Sequence, residues 1–244
     1  MNQGLLMPVY NHGKTALPLT EKLSSLGLPI ILVDDGSDDE TGEYLARAAA
    51  LPGVVLVRLD KNQGKGGAVS AGIDKAHELG LTHVLQLDAD GQHDADRAPC
   101  FLEQSRRCPE ALICACPEYD GSVPEGRRSG RKIANTWARI VTLSAAIPDV
   151  MCGFRVYPVE PVWRLIHRRR MDRRMSFDIE ILVRLFWERI PFRFYPVTVT
   201  YPPGGVSNFH LVKDNIRISW LFTRLFFGML WRLPVLLLRR GSGG

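Results

Sequence analysis

Short apolar runs alternate with longer polar stretches along the first half of the chain. "GLLM" (4–7) is an apolar run that stops at Pro8, and it predicts a strand. Residues 14–26 carry Leu17, Leu19, Leu23 and Leu26 among polar neighbours, a helical spacing. "PIILVDDGS" (29–37) predicts a second strand that ends in a turn. "DETGEYLARAAA" (39–50) predicts a helix with acids at its start, where the helix dipole favours them. "GVVLVRL" (53–59) and "HVLQLD" (83–88) predict two more strands, separated by the small-residue helix "GGAVSAGIDKAHEL" (66–79). Strands and helices in strict alternation predict an α/β fold, a mostly parallel sheet covered by helices.

Beyond residue 100 the pattern is less regular. It predicts a helix near 97–107, a strand near 112–116, a loop over 118–131 and a helix from about 131 to 146. A strand over 152–158, an apolar helix over 176–189, a last strand over 192–201 and a loop over 202–210 follow.

The C-terminal run over 212–240 has a different character. Lys213, Arg217, Arg224 and Arg232 recur so as to place a basic stripe on one helix face, with Trp220, Leu221, Phe222, Leu225, Phe226, Met229 and Leu230 around the rest. Arginine interrupts each long apolar window, so the expectation is a helix lying at a membrane interface and not one spanning it. A helix packed on the domain or on a partner subunit has the same pattern. The basic run "RLIHRRRMDRR" (164–174) suits lipid head groups or a solvated loop equally.

Composition narrows the setting. With 45% apolar residues, the 244-residue chain builds a substantial core. The net charge of +5 favours anionic partners. The five cysteines are odd in number and form no CxxC pair, which argues against a disulfide framework or zinc site and fits a reducing cytosol. "MNQGLLMPVYNHG" lacks the basic region and long apolar run of a signal peptide.

Candidate chemistry collects where the strands end. In a parallel sheet ligands bind beyond the carboxyl ends of the strands. Asp88 and Asp90 follow the fourth strand as Asp-x-Asp, and two carboxylates on a tight turn suit a hard divalent ion, with Gln92 offering a neutral oxygen. Asp34 and Asp35 end the second strand, where a carboxylate accepts bonds from a base N–H or ribose hydroxyls. Ser37, Asp38 or Asp39 is expected to cap the next helix. "NQGKGGAVSAG" (62–72) has neither P-loop nor dinucleotide spacing, but its glycines expose N–H groups before a helix and Lys65 adds a positive charge.

Five ordered segments, "MPVYNHG" (7–13), "VDDGSDDET" (33–41), "NQGKGGAVSAG" (62–72), "DADGQHD" (88–94) and "DVMCGFR" (149–155), resemble family 2 glycosyltransferases, inverting enzymes of GT-A fold. Within that family the chain looks most like the dolichyl- and polyprenyl-phosphate sugar synthases. The resemblance implies that Pro8, Tyr10 and Asn11 lie near the donor nucleoside, with Asp35 on the base and Asp34 beside it. It implies Lys65 and Arg155 at the donor phosphates, and Asp88, Asp90 and Gln92 on Mg²⁺ or Mn²⁺. His12 and Ala95 depart from the family pattern, which often has Glu and Pro there. Asp178, Glu180 and Asp149 are general-base candidates, and the spacing of the first two puts them on different helix faces. Ser207 and His210 are candidates for phosphate contacts on the acceptor side.

The expected activity is hexosyl transfer from a UDP- or GDP-sugar to a lipid-linked or membrane-associated acceptor, in cell-envelope glycan synthesis, with no nucleic-acid partner. Residues 1–210 would form the catalytic domain, 211–240 the interfacial segment on the inner face of the cytoplasmic membrane, and 241–244 a flexible tail. A nucleotidyltransferase would share the nucleotide and metal sites. A non-enzymatic basic membrane-binding module would need neither Asp88 nor Asp90.

Overall fold

The apolar runs become the centre of one seven-stranded sheet, ordered β3-β2-β1-β4-β6-β5-β7. The computed structural model describes residues 1–119, 125–199 and 211–241. β1 (Gln3–Val9), β2 (Ile30–Asp34), β3 (Val54–Arg58) and β4 (His83–Gln86) run parallel. β5 (Leu112–Tyr119) and β7 (Phe192–Val199) pair in parallel at the other edge. β6 (Arg155–Pro158) lies antiparallel between β4 and β5.

β1 and β2 are buried on both faces, as inner strands of a covered parallel sheet must be. Alternate residues divide between two layers. Leu5, Met7, Ile30 and Leu32 pack with Leu17, Leu45 and Phe101 of α1 (Gly13–Ser24), α2 (Asp39–Ala49) and α4 (Ala98–Arg107). Leu6, Ile31, Val33 and Val84 face the opposite layer. There the cover is α3 (Lys65–Glu78), α5 (Glu125–Thr142), α6 (Val159–Arg168), α7 (Phe177–Trp187) and α8 (Leu211–Gly241).

Four differences from the sequence pattern have physical reasons. β1 continues through Pro8 to Val9. Leu6 accepts from the β4 side, so the N–H that Pro8 lacks falls on that side too, where pairing has already ended at Gln86. α5 starts at Glu125, inside the expected loop, because its first turns are basic and glycine-rich and show no apolar period. α6 was not expected. It buries only Val159, Val162 and Leu165, and the arginines beside it hide that short stripe. The strand expected over 152–158 begins only at Arg155.

Gly36 closes the turn after β2 with φ +68°, and a Cβ there would lie 2.6 Å from the backbone of Lys61 and Asn62. Gly36→Ala is therefore expected to cost about 1–3 kcal/mol. Urea unfolding checks this, and an unchanged midpoint would contradict the close approach.

Candidate active site

The strand order places β2 and β3 on one side of β1 and β4 on the other, so a crevice opens at the carboxyl ends of β1 and β4. A cavity of about 1070 Å³ occupies it. β1 contributes Pro8 and Val9, and Tyr10 and His12 follow it. β2 leads to Asp35, and Asn62, Gly64 and Lys65 lie at the start of α3. Asp88, Asp90, Gln92 and His93 follow β4, and Asp178 comes from α7.

Lys65 links the two sides. Its Nζ lies 2.8 Å from Asp88 Oδ2 and 2.7 Å from Asp178 Oδ2. Burial works against its charge, but Asp178 and Asp88 more than offset this, and the ammonium is held above its ordinary value. Burial likewise opposes ionisation of Asp88, and Lys65 outweighs it, leaving that carboxyl below its usual range. Asp90 makes no ion pair within 4 Å among the described residues, although His93 and Lys65 stand near enough to favour its charge. Burial and the charge of Asp88 hold its carboxyl above the usual range, although its Oδ1 accepts from Gln92 N–H at 3.0 Å. The second oxygen of Asp178, Oδ1, lies 3.6 Å from Arg155 Nη1 and accepts no hydrogen bond among the described residues.

The two acids after β2 part company. Asp35 accepts from Gln63 N–H at 2.6 Å, Gly64 N–H at 2.8 Å and Asn62 Nδ2 at 3.1 Å, and so shapes the glycine loop at the cavity wall. Burial raises its carboxyl above the usual range despite these bonds. Asp34 is off the wall and buried, accepting from Ser37 N–H and Arg58 Nε, each at 2.9 Å. Asp38 caps α2 through Thr41 N–H. Asn11 also sits off the wall, tying the two turns together through Ser37 and Asp38.

Three further candidates stand elsewhere than expected. Arg155 is fully buried behind the wall, donating to Tyr157 Oη, Asp178 O and Val150 O. It braces Asp178 and does not face a phosphate. Asp149 is spent on Arg131 at 2.7 Å and on the N–H groups of Met151 and Cys152, a turn-capping role that leaves no free face for a base. Glu180 is completely buried against Arg184 and the Asp172 N–H. As the spacing of the two acids of α7 implied, only one of them reaches the site: Asp178 lines the cavity and Glu180, though also buried, does not. Ser207 and His210 lie outside the described residues.

Several wall residues escaped the sequence reading. Arg174 donates to Asn62 Oδ1 beside Asp35, hidden in a basic run that read equally as a lipid contact or a solvated loop. His93 Nε2 meets Cys152 Sγ at 3.4 Å. Burial disfavours its charge, but Cys152, Asp88 and Asp90 outweigh that, and the imidazole is pushed up to about 9. Gly153 lies so close that a Cβ there would sit 2.6 Å from Lys65 Nζ and 2.8 Å from Asp88 Oδ2.

The cavity also reaches α5 and α8, where the apolar Ile133, Trp137, Ile218, Phe222 and Phe226 share the wall with the polar Arg131, Asp214, Asn215, Arg217, Ser219 and Thr223. α8 buries Leu221, Leu225, Met229 and Leu236 against the domain. Its outer face is also apolar, with Trp220 64% and Trp231 89% exposed and Ile216, Phe227 and Leu238 beside them. The basic stripe is thus not a free membrane-facing face. Arg217 lies 3.5 Å from Asp214, Arg224 3.7 Å from Glu180, and Arg232 stacks over Trp187. Despite its arginines, Asp214–Leu238 is long and apolar enough by length and composition to cross a membrane.

A crevice at the switch point of an α/β sheet, rimmed by paired carboxylates and a lysine, marks a protein of the class that holds its ligand beyond the strand ends. The chain matches glycosyl transferase family 2 over residues 5–166 and belongs to that family. This sets aside the nucleotidyltransferase and non-enzymatic alternatives. It is 26% identical over 204 residues to the undecaprenyl-phosphate mannosyltransferase of Micrococcus luteus, covering 80% of this chain and 82% of that one. It is 28% identical over 222 residues to the polyprenol monophosphomannose synthase of Mycolicibacterium smegmatis, covering 87% and 82%. The fold is GT-A-like, superposing on glucosyl-3-phosphoglycerate synthase from Mycobacterium tuberculosis with a TM-score of 0.68 at 15% identity over 92% of this chain and 79% of that one. That synthase has also been solved with Mn²⁺ and UDP-glucose, with a TM-score of 0.67 at 14% identity over 93% of this chain and 78% of that one.

The contact at Gly153 gives a direct test. Gly153→Ala is expected to push Lys65 off Asp88 and lower turnover by about tenfold to a hundredfold, since misplacing a charged group by about 1 Å is enough. Steady-state rates check it, and a wild-type rate would show that the lysine bridge is not needed.

Proposed function

We propose that the chain transfers a hexosyl group, with inversion, from a UDP- or GDP-sugar to a lipid-linked acceptor such as polyprenyl phosphate. The observation that carries this reading is one cavity whose wall runs from the charged carboxyl edge of the sheet to α5 and α8, which line it with both apolar and polar side chains. A nucleotide diphosphate suits the first half, and a phosphate with a hydrocarbon tail suits the second. The relatives named for undecaprenyl-phosphate and polyprenol support the same acceptor class.

The residues divide the work. Asp35, Asn62 and Arg174 surround the place for the nucleoside. Asp88 and Asp90 suit a hard divalent cation, because their mutual repulsion is relieved by one and Gln92 adds a neutral oxygen. Mg²⁺ or Mn²⁺ held there would supply electrostatic stabilisation to the departing diphosphate. Lys65 adds a fixed positive charge beside it. An acceptor phosphate is already anionic and needs no strong base, which suits a wall where Asp178 is held by Lys65 and Arg155. The outer apolar face of α8 rests on the bilayer on the cytoplasmic side, bringing the cavity to the lipid.

Asp90→Asn is expected to lower nucleoside diphosphate release from a UDP- or GDP-sugar with Mn²⁺ and polyprenyl phosphate by about a hundredfold or more. Full activity in that variant would overturn the metal assignment. Replacing Trp220 and Trp231 together by Ser is expected to weaken binding to anionic vesicles by about tenfold or more without lowering the melting temperature, since both are exposed. Unchanged vesicle flotation would count against the interfacial role of α8.

A further inference from the structure

Glu180 has no part in the roles above, yet its contacts span the site. It is completely buried and does not line the cavity. Oε1 accepts from Arg184 Nε at 2.8 Å and Nη2 at 2.7 Å, one helical turn along. Oε2 accepts from Asp172 N–H at 2.7 Å and faces Arg224 Nη2 of α8 at 3.7 Å. One carboxylate therefore joins α7, α8 and the segment 172–174.

That segment is a strap over the glycine loop. Asp172 Oδ1 accepts from Arg174 N–H at 2.7 Å, which fixes its turn. Arg173 O accepts from Gly67 N–H at 3.0 Å, and Arg173 Nη1 donates to Gln63 Oε1 at 2.7 Å. Arg174 donates to Asn62 Oδ1. A Cβ on Gly66 would lie 2.5 Å from Asp172 O, so strap and loop touch through their backbones. The same loop presents its N–H groups to Asp35 and leads into Lys65.

We propose that Glu180 is a positioning residue that couples the seat of α8 to the donor loop, so that α8 sets donor affinity through Arg224, Glu180 and the 172–174 strap. This rests on reading the half of the cavity at the sheet edge as the donor site. The coupling is electrostatic at its α8 end. Arg224 is 39% exposed and can lose its charge without opening the core, whereas Glu180 without its arginines is a buried anion. An amide at position 180 keeps an acceptor for Asp172 N–H and removes the charge.

The test uses the full chain with Glu180→Gln, Arg224→Gln and Arg224→Lys. Amide hydrogen exchange reports the loop without any ligand, and steady-state kinetics with a UDP- or GDP-sugar separate KM from kcat. Both neutral variants are expected to speed exchange at the 63, 64 and 67 amides and to raise donor KM about fivefold to tenfold, with kcat changed less than about twofold. Arg224→Lys is expected to restore both readouts to within about twofold, and the double neutral variant to fall short of the product of the singles. Wild-type exchange at the loop in Arg224→Gln overturns the coupling even where Glu180→Gln fails to fold. A loss confined to kcat, or a uniform rise in exchange across the chain, also overturns it. If no nucleotide sugar binds the wild-type chain, the functional reading fails and the exchange result alone decides the coupling.

Discussion

One buried ammonium holds the site together. Lys65 touches Asp88 at 2.8 Å and Asp178 at 2.7 Å, and so joins the end of β4 to the start of α7 across the first turn of α3. Asp178 is buried and needs such a partner, whereas Asp88, 22% exposed on the cavity wall, keeps some contact with solvent. The surrounding backbone is arranged for this contact. Gly64, at φ +89°, turns the chain into α3 beneath the carbonyl of Arg173. Gly153 brings its own segment within a methyl group of the ion pair.

The order of strands and helices was legible because β1, β2 and β4 are buried on both faces and each carries a short apolar run, over 5–7, 30–33 and 84–85. α6 and the start of α5 were not, because each lacks a long apolar period. The carboxylates at strand ends were legible as a set, but their division of labour was not. Asp34 and Asp35 are neighbours in sequence, yet one answers to Arg58 and the other to the loop at 62–64. Asp149 looked available until α5 supplied Arg131. Such partners come from distant segments and leave no local trace. Glu180 is the exception, since Arg184 stands at i+4 on the same helix and the spacing alone pairs them.

The arginines of α8 show how composition misleads on direction. A basic stripe beside aromatics suggests cations facing head groups. Instead Arg232 covers the Trp187 ring at 4.5 Å and donates to Gly228 O, while Arg224 reaches for Glu180. Inward arginines are held by partners on the domain, and they leave the outer face to Trp220, Phe227 and Trp231. A helix that is apolar on two sides, with its polar groups turned between them, suits a domain pressed against a bilayer better than one free in water.

The same count of charges bears on the cation. Around the cavity floor Lys65 and Arg155 face Asp88, Asp178 and Asp90, two fixed positive charges against three carboxylates. Asp90 is the acid left over, and His93, held protonated nearby, balances it. A nucleotide diphosphate adds further negative charge to a floor whose lysine is already committed to two acids. Arg155 cannot turn to meet it, being locked onto Val150, Tyr157 and the Asp178 carbonyl. On the proposed reading the other cations of the cavity wall, Arg174 beside Asn62, Arg131 on Asp149 and Arg217 near Asp214, stand away from this floor. On that reading a divalent ion at Asp88 and Asp90 would add positive charge next to Lys65, where the two neighbouring acids otherwise repel each other.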